Sequence, residues 1–100
     1  MLKHIVFIRL SNSYSDTEKT SNLKKLKEML DELPNVIPAI NKMETGINFS
    51  TRASAFDLSL SVELNDEDAL NVYRVHPEHK KVLAFMGELS LETAVVDYFI

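Results

Sequence analysis

The sequence predicts an α+β domain of order β-α-β-β-α(α)-β, with one antiparallel four-stranded sheet and its helices on a single face. Three observations predict it. Segments of β-branched and aromatic residues stand at both ends of the chain, at residues 3–10 and 93–100. Between them, residues 56–64 place five apolar side chains in strict alternation with four polar ones. Stretches of helical period then separate the first strand from the second and the third from the last, as crossover connections require. The second and third strands lie close enough for a hairpin, which completes the ferredoxin-like plan.

One hundred residues with 45% hydrophobic and 26% charged side chains suit a single globular domain over 1–100. The net charge of −4 offers no basic surface to nucleic acid or to an anionic membrane. With no cysteine there is no disulfide framework, no thiolate nucleophile and no thiolate metal site. Two glycines are too few for a phosphate-cradling loop, and no nucleophile elbow is present. The apolar runs are too short to span a bilayer and no export signal precedes Leu2, so a cytoplasmic protein is expected.

In the first strand Leu2, His4, Val6, Ile8 and Leu10 share one face, and Ile5 and Phe7 share the other. Both faces being apolar, the strand is expected at the centre of the sheet. Ser15-Asp16-Thr17-Glu18 is a capping box opening a helix whose Leu23, Leu26, Leu30 and Leu33 recur at helical spacing. Lys24, Lys25, Lys27 and Glu28 read as its solvated outer face, and Pro34 with Asn35 as its stop. Residues 39–45 alternate loosely as a second strand, Gly46 suggests a bulge, and residues 48–54 form a polar hairpin loop.

Residues 65–85 are the most informative stretch. Asn65 is the expected N-cap of a short helix with Asp66, Glu67 and Asp68 in its first turn, burying Ala69, Leu70, Val72 and Tyr73. His76 precedes proline and is therefore pushed out of the helical region, while Pro77 fits the first position of a second helix. On that helix His79, Val82, Leu83 and Met86 share a face, and Gly87 terminates it. The last strand brings Val95 and Phe99 to join Ile5, Phe7, Ser59 and Ser61 on the sheet face away from the helices. A face so apolar calls for a cover, and a second copy packed sheet to sheet is the simplest one, so a homodimer is expected.

Four stretches together resemble the stress-responsive A/B barrel domain (Dabb) family: Lys3-His4-Ile5-Val6, the block from Leu33 to Pro38, Val75-His76-Pro77-Glu78-His79, and Val95-Val96-Asp97-Tyr98. The resemblance spans nearly the whole chain and implies a dimeric α+β barrel. The family includes a boiling-stable plant protein with no evident catalysis and a plant polyketide cyclase that needs no cofactor. Tyr73 and His79 occupy the positions that do that cyclase's chemistry, and His4, Val6, Ile8, Leu60 and Val62 match positions lining its pocket. Leu26 and Leu58 stand where the cyclase has a tyrosine and a histidine, so its substrate does not carry over.

From the residues themselves, His79 at the third position of its helix faces a dipole that disfavours added positive charge. A neutral imidazole is what a general base must be, and Tyr73 could donate to a developing enolate or oxyanion. The purely structural alternative makes Tyr73 a core aromatic with its hydroxyl satisfied at the surface, and has His76 and His79 cap and pack the joint. His76-x-x-His79 has the spacing of a metal pair, but the remaining ligands of a zinc site are lacking, so no metal and no cofactor are expected. The functional expectation is a stress-responsive-type dimer of undefined activity. It would bind a small apolar or aromatic molecule among His4, Val6, Ile8, Leu58, Leu60, Val62 and His76. A cofactor-independent cyclase- or monooxygenase-like enzyme with His79 as base and Tyr73 assisting is the alternative, and the sequence leaves catalysis open.

Overall fold

The computed structural model describes residues Met1–Ile100. Its elements run β1 (Leu2–Leu10), α1 (Asp16–Val36), β2 (Lys42–Ile47), β3 (Leu58–Leu64), α2 (Glu67–Val75), α3 (Pro77–Gly87) and β4 (Leu91–Phe99). The strands form one sheet in the order β2-β3-β1-β4, with every neighbouring pair antiparallel. This is the ferredoxin-like α+β fold, with β1 central as its two apolar faces require.

Cross-strand partners share a face, so the register sorts the side chains. Leu2, His4, Val6 and Ile8 pair with Leu64, Val62, Leu60 and Leu58 on β3. All eight point toward the helices, where Leu23, Leu26, Leu30 and Leu33 of α1, Leu70 and Tyr73 of α2, and Val82 and Phe85 of α3 close the core. The helical layer packs on β2 and β3 through α1 and α2, whereas β4 packs chiefly on β1. Val95 and Phe99 therefore stay exposed although they lie on the helix side.

That register corrects the expected composition of the open face. Val95 pairs with Val6 and Phe99 with Leu2, both on the helix side. Ala94, Val96 and Tyr98 join Ile5, Phe7, Ser59 and Ser61 on the open face instead. The face remains apolar at its centre, with Lys3, Arg9, Lys42, Glu44, Glu63 and Glu92 around it.

Several local expectations shift. The capping box forms as read: Ser15 accepts from the amide of Glu18, and Glu18 reaches back to the amide of Ser15. Pro34 does not stop α1, because the amide of Ile37 still reaches the Leu33 carbonyl and carries the helix to Val36. Gly46 makes no bulge: it pairs in register with Ser59 at an ordinary φ. Phe56 and Asp57 lie ahead of β3, where the Asp57 carboxylate takes the Leu10 amide and its amide binds the Ile8 carbonyl. Asp66, not Asn65, caps α2, since its carboxylate reaches the Ala69 amide. Val72 and Leu83 are exposed; α2 buries Leu70 and Tyr73, and α3 buries Val82 and Phe85. No helix is long and apolar enough to cross a membrane.

Leu26 is wholly enclosed beneath the sheet. Leu26→Ala is expected to lower the unfolding free energy by about 2–5 kcal/mol in urea titration, with the slope unchanged.

Candidate functional site

Pro77 makes the joint on which the site is built. It has no amide proton and holds His76 extended, at φ −62° and ψ 135°, between α2 and α3. His76 closes α2 and opens α3, its Nδ1 accepting from the Glu78 amide at 3.1 Å. This is the capping role that the purely structural reading gave it, and with Nδ1 so engaged His76 serves the joint.

The same break frees a carbonyl. At the end of α2 the Arg74 carbonyl would ordinarily take the amide four residues on, which is the Glu78 amide given to His76. Nδ1 of His79 binds the Arg74 carbonyl instead, at 3.1 Å. A carbonyl only accepts, so Nδ1 carries the proton and Nε2 keeps its lone pair. The imidazole is half-buried against the Tyr73 ring, with centroids 4.3 Å apart. Its pKa lies below the ordinary histidine value, chiefly through desolvation, with the charges of His4, Arg74 and His76 adding to the effect and the Arg74 hydrogen bond opposing it. Burial thus leads where the position on α3 had pointed to the helix dipole.

Tyr73 is the largest fully buried side chain in the protein. Its hydroxyl has no hydrogen-bond partner, so it is not satisfied at the surface as a plain core aromatic would be. Burial pushes its pKa up to about 12. On its other flank His4 meets it edge to face, with centroids 6.0 Å apart.

His4 is itself held by β4. Asp97 is its cross-strand partner, and the carboxylate contacts Nδ1 of the imidazole. Asp97 was not among the expected site residues. The signal was one acidic residue in the apolar run Val95-Val96-Asp97-Tyr98; that it faces the helices comes from the register with His4.

The structure thus brings His4, Tyr73 and His79 together and adds Asp97. Ile8, Leu58, Leu60 and Val62 are buried and Val6 half-buried, on the sheet beneath the joint as expected, yet they are packed into the core, and Leu58 borders a different cleft, beside Phe7 and Phe56. Leu26 and Leu58 belong to the same core. A cleft that Asp97 borders lies between α2 and β4; His4, Tyr73 and His79 do not line it. It holds about 250 Å³ and is lined by Leu2, Glu67, Leu70, Asn71, Arg74, Asp97 and Phe99. No group of three His, Asp or Glu side chains is placed to hold a metal ion.

A four-stranded ferredoxin-like sheet, with a buried tyrosine against which two histidines pack, defines a small α+β domain. The chain belongs to the stress-responsive A/B barrel domain family, whose pattern it matches over residues 2–100. A dimeric protein of unknown function with a ferredoxin-like fold from Bacteroides fragilis is similar at 30% identity and a TM-score of 0.91, covering 99% of this chain and 95% of that one. A dimeric ferredoxin-like protein of unknown function from Thermobifida fusca shares 21% identity at a TM-score of 0.83, covering 99% and 90%. The hydroxynitrile lyase of Passiflora edulis shares the fold at 16% identity and a TM-score of 0.80, covering 99% and 92%. Comparison with curated proteins yields no match.

Two pH effects follow from the burial of these rings. The folded tyrosine holds its proton from pH 10.0 up to about 12. Stability from Tyr73 is therefore full below pH 10 and falls by about 2–3 kcal/mol between pH 10 and 12. Tyr73→Phe removes that alkaline loss. It also raises stability near neutrality by up to about 2 kcal/mol, because an unpaired buried hydroxyl disappears. His79, neutral when folded, contributes stability above the unfolded histidine value that fades as pH falls below it. Urea titrations of wild type, Tyr73→Phe and His79→Gln across the pH range measure all three effects.

Proposed function

We propose that the protein is a homodimer that binds a small apolar or aromatic molecule, bearing a hydroxyl or carbonyl group, between its sheet and the α2–α3 joint. The observation that carries this reading is the Tyr73 hydroxyl, enclosed without a partner on a ring against which both His4 and His79 pack. A buried hydroxyl left unpaired costs about 1–3 kcal/mol, which phenylalanine would avoid. A ligand oxygen reaching Tyr73 recovers that energy on binding. The cleft between α2 and β4, bordered by the Asp97 that contacts His4, is the entry this reading uses, and Leu2, Leu70 and Phe99 give it apolar walls. Its volume, below the roughly 300–1,000 Å³ of drug-sized pockets, suits a compact ligand.

A second reading, cofactor-independent proton transfer with His79 as base and Tyr73 as donor, has its own support in the free Nε2 of His79 and the burial that keeps the ring neutral. The hydroxynitrile lyase from Passiflora edulis indicates that the scaffold is compatible with an enzyme.

The homodimer rests on the open sheet face, where Phe7 and Tyr98 are each 41% exposed and Val96 is 55% exposed. Two relatives of the same fold are dimeric. A partner's open face covers this apolar centre, and the ring of mixed charges around it leaves room for opposite signs to meet.

A thermal-shift screen of small aromatic alcohols, phenols and ketones tests the ligand reading. Wild type is expected to gain several degrees with at least one compound, and Tyr73→Phe to lose most of that gain. A wild type indifferent to the whole set would remove it. Sedimentation is expected to give a dimer for wild type and a folded monomer, or a dimer weakened at least about a hundredfold, for Val96→Asp. A monomeric wild type at micromolar concentration sinks the assembly.

A further inference from the structure

We infer that charges at one end of the open sheet face set how two copies meet: Lys3 of each copy pairs with Glu63 of the partner subunit, and the twofold axis runs along the strands. The inference rests on the homodimer reading above and names the contacts that orient it.

The register arranges the open face in rows, because cross-strand partners share a side. The row nearest the chain termini reads Lys42, Glu63, Lys3 and Tyr98 across β2, β3, β1 and β4. Beside it stand Glu44, Ser61, Ile5 and Val96. At the far end Arg9 pairs with Glu92. The two ends differ in how their charges are used. The Arg9 guanidinium is already engaged, 2.6 Å from the Glu92 carboxylate and 4.3 Å over the Phe56 ring. Lys3, Lys42, Glu44 and Glu63 make no ion pair within the chain, although neighbouring strands lie only about 4.8 Å apart. Lys3 and Glu63 are also half-buried, so they stand against the apolar centre of the face rather than out in water. Unpaired charge at the rim of an apolar face is free to match a partner's pattern.

A twofold axis lying between two identical sheets can run along the strands or across them. Along the strands, β1 of one copy lies over β3 of the other, and each row lies over its own copy in reverse order. Lys3 then meets the partner's Glu63, and Glu63 meets the partner's Lys3. Lys42 comes over the ring of the partner's Tyr98, where a cation is favoured. Across the strands, β1 lies over β1 and the two ends of the sheet exchange. Lys3 then meets the partner's Arg9, a repulsion made twice. The apolar centre, with Ile5, Phe7 and Val96, is covered in both arrangements and does not choose between them. The charges do. Face-to-face sheets cross at roughly 30°, a rotation that long lysine and glutamate side chains can follow.

Sedimentation of the whole chain, reading the dimer dissociation constant, tests this. Lys3→Glu and Glu63→Lys, each alone, are expected to weaken the dimer about tenfold, because two symmetry-related pairs turn from attraction to repulsion. Mixed in equal amounts, the two variants are expected to recover wild-type affinity as a mixed dimer, identified by native mass spectrometry with one chain isotope-labelled. Each chain keeps its own altered neighbours in that mixture, so the recovery reads only contacts between copies. With the axis across the strands, Lys3→Glu would tighten the dimer instead, since a carboxylate would then face the partner's Arg9. That result, or a dissociation constant indifferent to the substitutions, overturns the inference. Lys3→Gln decides the question if the charge reversals fail to fold: a dimer weakened about threefold supports the inference, and a tighter or unchanged one overturns it. A monomeric wild type removes the homodimer reading and this inference together, whereas a dimer indifferent to these charges removes only the orientation.

Discussion

The joint depends on one missing hydrogen. Pro77 cannot donate, so the chain cannot run from α2 to α3 as a single helix. The backbone groups left over at the break are met by imidazole nitrogens rather than by water: His76 takes an amide and His79 gives to a carbonyl. Those two bonds fix the angle of α3 and the tautomer of His79 together. The ring that closes the joint is also the ring that packs on Tyr73.

Tyr73 shows which effect dominates in the core. Fully burying an aromatic ring yields roughly 1.5–3 kcal/mol of transfer free energy, and its unpaired hydroxyl takes back a comparable part, about 1–3 kcal/mol. For stability alone phenylalanine would serve better at this position, with nothing else changed. The hydroxyl is thus a local conflict inside an otherwise consistent apolar core, and such conflicts concentrate at functional sites. His4 repeats the pattern on the sheet, as the one buried polar residue among the helix-facing side chains of β1.

Much of this was legible in the sequence, for particular reasons. The alternation of residues 58–64, the capping box at Ser15 and the His-Pro joint are local signals, and each formed as local physics requires. The longest-reaching failures depended on distant partners. The phase of β4 is set by its register with β1, and alternation alone could not say whether Val95 or Val96 faces the helices. Pro34 sits in the last turn of α1, where it removes one bond and the turn closes without it. Tyr73 and His79 could be paired from the joint, and a resemblance pointed to both. The contact between His4 and Asp97 spans 93 residues of chain, and no local rule reaches that far.

The edge strand ties these strands of evidence together. Along β4, side chains alternate between two environments: Asp97 and Phe99 reach the cleft beside α2, while Val96 and Tyr98 lie on the open face. A strand at the rim of a sheet is held on one side only, here by β1, and is the part most free to shift. Anything packed on Val96 and Tyr98 steadies the backbone that carries Asp97 and, through it, the ring of His4. A sheet-to-sheet partner would therefore act on the site without touching it. The exposure of Val96 and Tyr98 on the open face and the contact of Asp97 with His4 are two consequences of the period-two geometry of one strand.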